Sequence, residues 1–470
     1  MRNALLSTGL KVKTAAMILV GVAVLGFLLF YRSPDLSAEG KKTVIRLWHP
    51  WGGTMMEAFK SGADRFAASH PEIGCKLLYV PNDIASSQKF YTAVIGNCAP
   101  EVMFVDGTQV AEWAEKKLLT PLDDLLVEAG IDPKKLEKEF FPPCWRQCVY
   151  RGKIYAITFC ADVNFCFFWN KDALRKAIDD GQIPPGTIDP ERAPRTIAEL
   201  DRYNAAVTRV RNTGAGEQIE RIGLVPWGVY GSANSIFTWG WAFGGEFFDD
   251  QRFRITANDP KIVAALDWMC QYARKYNYEH IATLQSTFGA AEQSPFILGK
   301  QVMQLFHVSG LKDLDKYAPN LRYGMAPIPR VEGVNGDGSW VGGWTLAIPS
   351  GVPDVEKRRA ALKFILWSCA SPEGTSLEIR TSQNFPAWKD SPFFQEAAKD
   401  PRLSVYMRIL ENCRHQRPVM PVQAFYMDQL NRAVDRAVRG EKTPKEALDE
   451  ATRKTQERLD ELLAESGGAR

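Results

Sequence analysis

The sequence predicts an α/β chain organised as more than one domain, and three observations carry that reading. The chain has 470 residues, too many for one compact hydrophobic core. From Thr43 to Lys117, extended apolar runs alternate with helical periodicity, the pattern of βαβ units and a parallel sheet covered on both faces. Between Tyr150 and Ala173 an apolar run is broken by Asp162 and Asn164 and then resumes as Phe165–Trp169. Two polar side chains between buried strands need partners, because an unpaired buried carboxylate is costly. On pattern alone this stretch is either a short exposed loop or a crossing between two lobes that aims both side chains into a cleft.

Taken in order, Arg2, Lys11 and Lys13 precede an uncharged run from Thr14 to Tyr31. That run is at the short end for spanning a hydrocarbon core of ~30 Å and long for the core of a signal peptide. A cleavage point after Ala38 matches the small-residue pattern weakly. Cleaved signal peptide and retained signal-anchor both fit, and either exports the chain, with residues 1–42 forming that segment plus a polar linker. The folded part starts with a strand at Thr43–Trp48 and a turn, His49-Pro50-Trp51-Gly52-Gly53. A helix with Phe59, Ala63 and Phe66 on one face then stops at His70-Pro71. Strands at Lys76–Val80 and Glu101–Val105 follow, with helices at Gln88–Ile95 and Gln109–Lys117. In such sheets ligands sit beyond the carboxyl ends of the strands, here at His49 and Trp51 and at Asp106-Gly107-Thr108.

Beyond the broken run, Lys171–Asp179 reads as helix, and Thr196 caps another through Val210. The stretch Trp227–Phe248 holds eight aromatics among five glycines, WGVYGSANSIFTWGWAFGGEFF. Taken singly, each aromatic fits a core helix. Together, Trp beside Gly leaves flat apolar faces open to a ligand, and such faces suit sugar rings. A helix starts at Asp259-Pro260 and a strand is expected at Val302–Phe306, followed by Ser309-Gly310. Gly324–Ile328 is a further strand, and Gly333–Gly343 reads as a glycine-rich loop carrying Trp340. Then come a strand, Trp344–Ile348, a helix over Val352–Ala370, and a further helix begun by Ser371-Pro372-Glu373. Gln383–Trp388 is a loop. Thr443, Pro444 and Glu446 form a capping box for the last helix.

Composition removes several functions. At 45% hydrophobic and 24% charged residues, with net charge +3, the chain is an ordinary globular protein without the concentrated basic face of a nucleic-acid binder. Five scattered histidines and no close CxxC pairs argue against a metal site. The nine cysteines of an exported chain predict one or more disulfides; Cys75 and Cys98 flank one βα unit, and Cys144 and Cys148 lie one helical turn apart. No GxSxG, HExxH, P-loop or EF-hand pattern occurs, and no nucleophile–base set is evident. Two distant carboxylates could still meet in the fold as a glycosidase pair. The aromatic and polar features favour binding over catalysis.

Several segments then follow one another in an order that resembles a known group. They are TVIRLWHPWGG; APEVMFVDGTQVAEWAEKKLLTPLDDL; GKIYAITFCADVNFCFFWNKD; FILGKQVMQ; GGWTLAIPSG with the helix and SPEG behind it; and finally KDPR, PVQAFYMDQLNRAV and GEKTPKEALDEA. The chain is similar, from about Val44 to Leu463, to extracellular solute-binding proteins of the maltose-binding type (family 1), the capture component of bacterial ABC importers. The resemblance implies a two-lobe periplasmic binding protein fold (type II), with discontinuous lobes joined by hinge crossings near Ala156–Asp162, Trp344–Ile348 and Ala398–Arg402. One lobe would combine residues 43–157 and 345–398, the other 158–344 and 399–470.

It further implies ligand contacts from His49, Trp51, Gly52, Asp106, Thr108, Asp162, Asn164, Trp227, Trp239, Trp241, Ser309, Gly310, Gly343, Trp344 and Tyr426. Arg380 fits a surface charge better than a ligand contact. The implied ligand is a sugar, oligosaccharide or polyol. The implied partners are two permease subunits and, through them, an ATPase, with no cofactor and no catalysis. A phosphorylated polyol is the second ligand class, but it calls for a cation in the cleft that the sequence does not clearly supply. A membrane-tethered sugar-active enzyme or sensor subunit is the alternative of another kind. The lipoprotein cysteine usual in the group is absent, and the cysteine content departs from it.

Overall fold

The computed structural model describes residue 19 and residues 43–465, apart from 82–83, 185, 215, 229, 289–290, 336–337 and 377–384. Apart from Leu19, the apolar N-terminal run falls outside the described residues, as do Arg380 and Gln383-Asn384. Among the described residues no helix is long and apolar enough to cross a membrane.

The first lobe is built on a five-stranded mixed sheet. Its strands are β1 (Thr43–His49), β2 (Ile73–Tyr79), β3 (Val102–Asp106), β4 (Ala156–Thr158) and, from far along the chain, Trp344–Ala347. β1 pairs in parallel with β2 and β3, joined by the helices Gly53–Ser69 and Ile84–Ile95. The Trp344–Ala347 strand runs antiparallel between β3 and β4, pairing Trp344 with Asp106 and Thr345 with Thr158. The carboxyl ends of β1 and β3 and the start of the late strand thus share one rim.

The run broken by Asp162 and Asn164 is neither loop nor single strand. β5 (Cys160–Asn164) and β6 (Cys166–Asn170) are separated only by Phe165, which turns the chain with φ 74°. β5 leaves the first sheet and pairs with two partners of its own, β9 (Trp340–Gly342) and β11 (Phe385–Pro386). β6 then becomes the middle strand of the second lobe's sheet, between β7 (Met303–Phe306) and β8 (Tyr323–Ala326); the late strand of the first lobe is β10. The exposed-loop alternative is therefore set aside. Gly333–Gly343 is corrected too: its end is β9, laid against β5 with Gly342 opposite Asp162. Three residues between glycines are too short to show a period-two pattern.

Ser371-Pro372-Glu373 forms turns and no helix through Ser376. Most other elements match their sequence signals. Asp259 caps the helix Pro260–Tyr276, Thr196 accepts from Glu199 N at 3.1 Å, and Thr443 and Glu446 exchange backbone N–H bonds of 3.0 and 3.2 Å as a capping box does.

The disulfide expectation is corrected. The described residues contain no disulfide bond. Cys144 and Cys148 are buried thiols; Cys148 Sγ lies 3.0 Å from Thr158 Oγ1, and burial pushes its pKa up to about 12, so it behaves as a small apolar side chain.

Candidate functional site

The crossing strands meet the rim of the first sheet at a cluster of charged groups. Asp106 ends β3, and its carboxylate accepts from its own neighbour, Thr108, through the backbone N–H (2.9 Å) and the hydroxyl (2.6 Å). This Asx turn fixes the carboxylate at the rim. Across from it comes Arg417, with Nη2 3.5 Å from Asp106 Oδ1, its guanidinium 5.1 Å from the centre of the Trp340 ring and its Nη1 3.6 Å from Met427 Sδ. Arg417 Nε has no hydrogen-bond partner. The pair is 14% and 23% exposed, partly withdrawn from water yet still reachable.

Asp162 lies on β5 beneath this pair. The side chain keeps some exposed surface, but it is set deep between the lobes, and desolvation raises its pKa from the usual carboxylate range to about 7. The charge of Asp106 adds to the rise; Arg417 and the Cys160 thiol oppose it. Asn164, two residues on and on the same face, donates to Asp162 O at 2.9 Å.

Two glycines make the floor this tight. A Cβ on Gly342 would stand 3.3 Å from both Arg417 Nη2 and Asn164 Nδ2. Gly343 has φ +148°, and a Cβ there would meet Cys160 O at 2.0 Å, so any other residue would push the crossing strands apart.

Two walls rise from this floor. On the first lobe, half-buried Trp51 packs 4.3 Å from Phe104, 5.4 Å from Phe159 and 6.3 Å from half-buried Trp344, while Gly52 stands exposed with open space beside it. His49 is further in: it is buried, and desolvation lowers its pKa, so it supports the wall as a neutral ring. On the second lobe, Ser309 sits after β7 with its hydroxyl 3.0 Å from His307 Nδ1, and Gly310 opens the helix Gly310–Tyr317. Burial pushes His307 down to about 4, which keeps it neutral. Tyr230, 59% exposed, lies 6.5 Å from His307 and 5.5 Å from Phe165.

The aromatic stretch behaves differently from the platform expected of it. Ser232–Ala242 is a helix buried on every side in the second lobe's core, among the helices Pro260–Tyr276 and Gln423–Val438. Trp239 is 0% exposed and spends its N–H on Pro226 O at 2.8 Å; Trp227 stacks on Tyr278. Tyr426 is also 0% exposed, with its hydroxyl donating to Phe247 O at 3.0 Å. None of these three presents a face to solvent, because a helix that is apolar all round is a core helix. Trp241 is 2% exposed and stacks on His415, lining a separate cavity.

Of the residues at the cleft, Tyr230 was read only as one of the eight aromatics of its stretch, and Arg417 escaped the sequence reading. Tyr230 had a signal: it stands between Gly228 and Gly231, all three at positive φ, the mark of a sharply turned segment that holds a side chain outward. Arg417 had none, since its partner Asp106 is 311 residues away.

Against known proteins, a family model described as bacterial extracellular solute-binding protein matches residues 62–404. The sn-glycerol-3-phosphate-binding periplasmic protein UgpB of Escherichia coli K12 is 23% identical over 470 residues, covering 96% of this chain and 97% of the relative. Its Salmonella typhimurium counterpart is 22% identical over 431 residues, with 87% and 91% covered. Among solved structures, CpMnBP1 with mannotriose bound superposes with a TM-score of 0.70 at 24% identity, over 88% of this chain and 100% of that one. UgpB from Mycobacterium tuberculosis in complex with glycerophosphocholine gives 0.69 at 22% identity, over 90% and 99%.

Proposed function

Because the chain belongs to the bacterial extracellular solute-binding protein family, we propose that it captures a sugar, oligosaccharide or polyol between its two lobes and hands it to the permease subunits of an ABC importer. The observation that carries this reading is the hinge floor, where Asp106, Asp162, Asn164 and Arg417 converge at the junction of the lobes. Carboxylates accept from ligand hydroxyls, and the guanidinium and amide donate to them. Trp51, Trp344 and Tyr230 supply apolar faces on opposite walls. A ligand touching both walls favours the closed arrangement by as much as its extra contacts there, so binding and hinge closure are one equilibrium. The arrangement serves capture and release rather than bond cleavage.

A second reading has a specific support. Arg417 is the cleft cation that a phosphorylated polyol requires, and guanidinium is well matched to phosphate oxygens. The relatives named for sn-glycerol 3-phosphate agree with it. Calorimetry and thermal-shift measurements with maltose, mannobiose, mannotriose, sn-glycerol 3-phosphate and glycerophosphocholine decide between the two. Stabilisation by neutral sugars alone supports the first reading, and by the phosphate compounds alone the second. Product formation from any of them would overturn both.

A further inference from the structure

A second cavity, of about 520 Å³, lies between the lobes and shares no residue with the hinge floor. Its first-lobe wall carries Trp145 and Tyr150, both 4% exposed, and Arg146. Its second-lobe wall carries Trp241 and Glu246, and the segment leading to Arg417 contributes His415. Both lobes thus form it, and its volume is that of a small-ligand pocket.

Three features indicate what would fill it. Trp241, 2% exposed, faces Glu246, whose carboxylate its indole N–H helps to keep charged against desolvation, so the pair brings a donor and an acceptor to the cavity. Arg146 donates to neutral acceptors, Gln416 Oε1 at 2.9 Å and Arg414 O at 2.7 Å. Cationic and anionic side chains line the cavity in equal number, Glu246 and Asp250 standing against Arg146 and Arg414. His415 adds no charge, since burial first, then Arg146 and Arg414, lower its pKa to about 4.

A ligand of either charge would leave one set of these groups opposed by like charge. Each hydroxyl of a neutral sugar ring both donates and accepts, and the ring's C–H faces suit the aromatic walls. We propose that this cavity is a second, independent binding site for a neutral saccharide of one to three rings.

Titration calorimetry of the full chain with glucose, maltose and mannotriose tests this, in wild type, Glu246→Ala, Trp241→Phe and Asp162→Ala. The expected result is two sites for at least one sugar. Glu246→Ala, a rim change that leaves the core intact, and Trp241→Phe, which removes the donor, each weaken only one of the sites, at least about fivefold. Asp162→Ala weakens only the other. A single site for every sugar, no binding of any of them, or a second site indifferent to both Glu246→Ala and Trp241→Phe overturns the proposal. Failure of the hinge-floor reading looks different: two sites, neither of them sensitive to Asp162→Ala.

Discussion

Replacing Asp162 by Asn should make the unliganded protein more stable and the liganded one weaker. A carboxyl that is ordinary in the unfolded chain but titrates at about 7 in the fold holds its proton in the folded state and loses it in the unfolded state between those two values. In that window the folded state binds more protons, so stability falls as pH rises and levels off above pH 7. Each unit of separation is worth about 1.4 kcal/mol. Between pH 5 and pH 8 the wild type therefore loses roughly 2–3 kcal/mol through this one group, and Asn, close in shape to the protonated acid, does not. Part of this gain is offset because Arg417 loses one of the two carboxylates it faces.

Urea unfolding followed by tryptophan fluorescence at the two pH values reads the difference directly. Asp162→Asn should gain on wild type as pH rises. For a ligand hydroxyl bound to the ionised carboxylate, the same change should cost about 1.5–3 kcal/mol of affinity at pH 8. Opposite signs for stability and affinity are the signature of a group kept for binding. An advantage for Asn that is the same at pH 5 and pH 8 would refute the burial argument, and unchanged affinity would refute the binding role.

Other perturbations sort structure from binding. Gly343→Ala places a Cβ on Cys160 O at a positive φ and should cost at least about 2 kcal/mol, seen as a lower melting temperature with an altered hinge. Trp239→Ala, in the core of the second lobe, should lose about 3–5 kcal/mol of stability, and any affinity lost with it should return under conditions that restore folding. Arg417→Gln should lower the affinity for sn-glycerol 3-phosphate by about 10-fold or more if the phosphate reading holds, with a much smaller change for a neutral sugar. Thr443→Ala removes the cap of the last helix and should cost about 1 kcal/mol by urea unfolding.

What the sequence disclosed follows the range of the interactions involved. Periodicity and caps placed the first-lobe strands, the Pro260–Tyr276 helix and the Thr443 capping box, because those signals are local. Asp162, Asn164, Asp106 and Thr108 were legible as polar residues at strand ends or breaks in apolar runs, and the structure brings all four to the hinge or its rim. Trp239 and Tyr426 were misjudged because a core aromatic and a ligand platform are alike in sequence; only the helices packed around them tell the two apart. Arg417 could not be read, since nothing near it in the chain shows that its charge faces Asp106. The β9 strand was hidden by its glycines, although those glycines are what allow the crossing strands to close on one another.

The central claim is that the solute binds at the hinge floor, between the lobes. A crystal structure with the tightest-binding solute of the panel tests it most directly. The account predicts solute oxygens within hydrogen-bond distance of Asp162 and of Asp106 or Arg417, with atoms of both lobes in contact. A solute seated on one lobe alone, with no contact to Asp162 or Arg417, would contradict it.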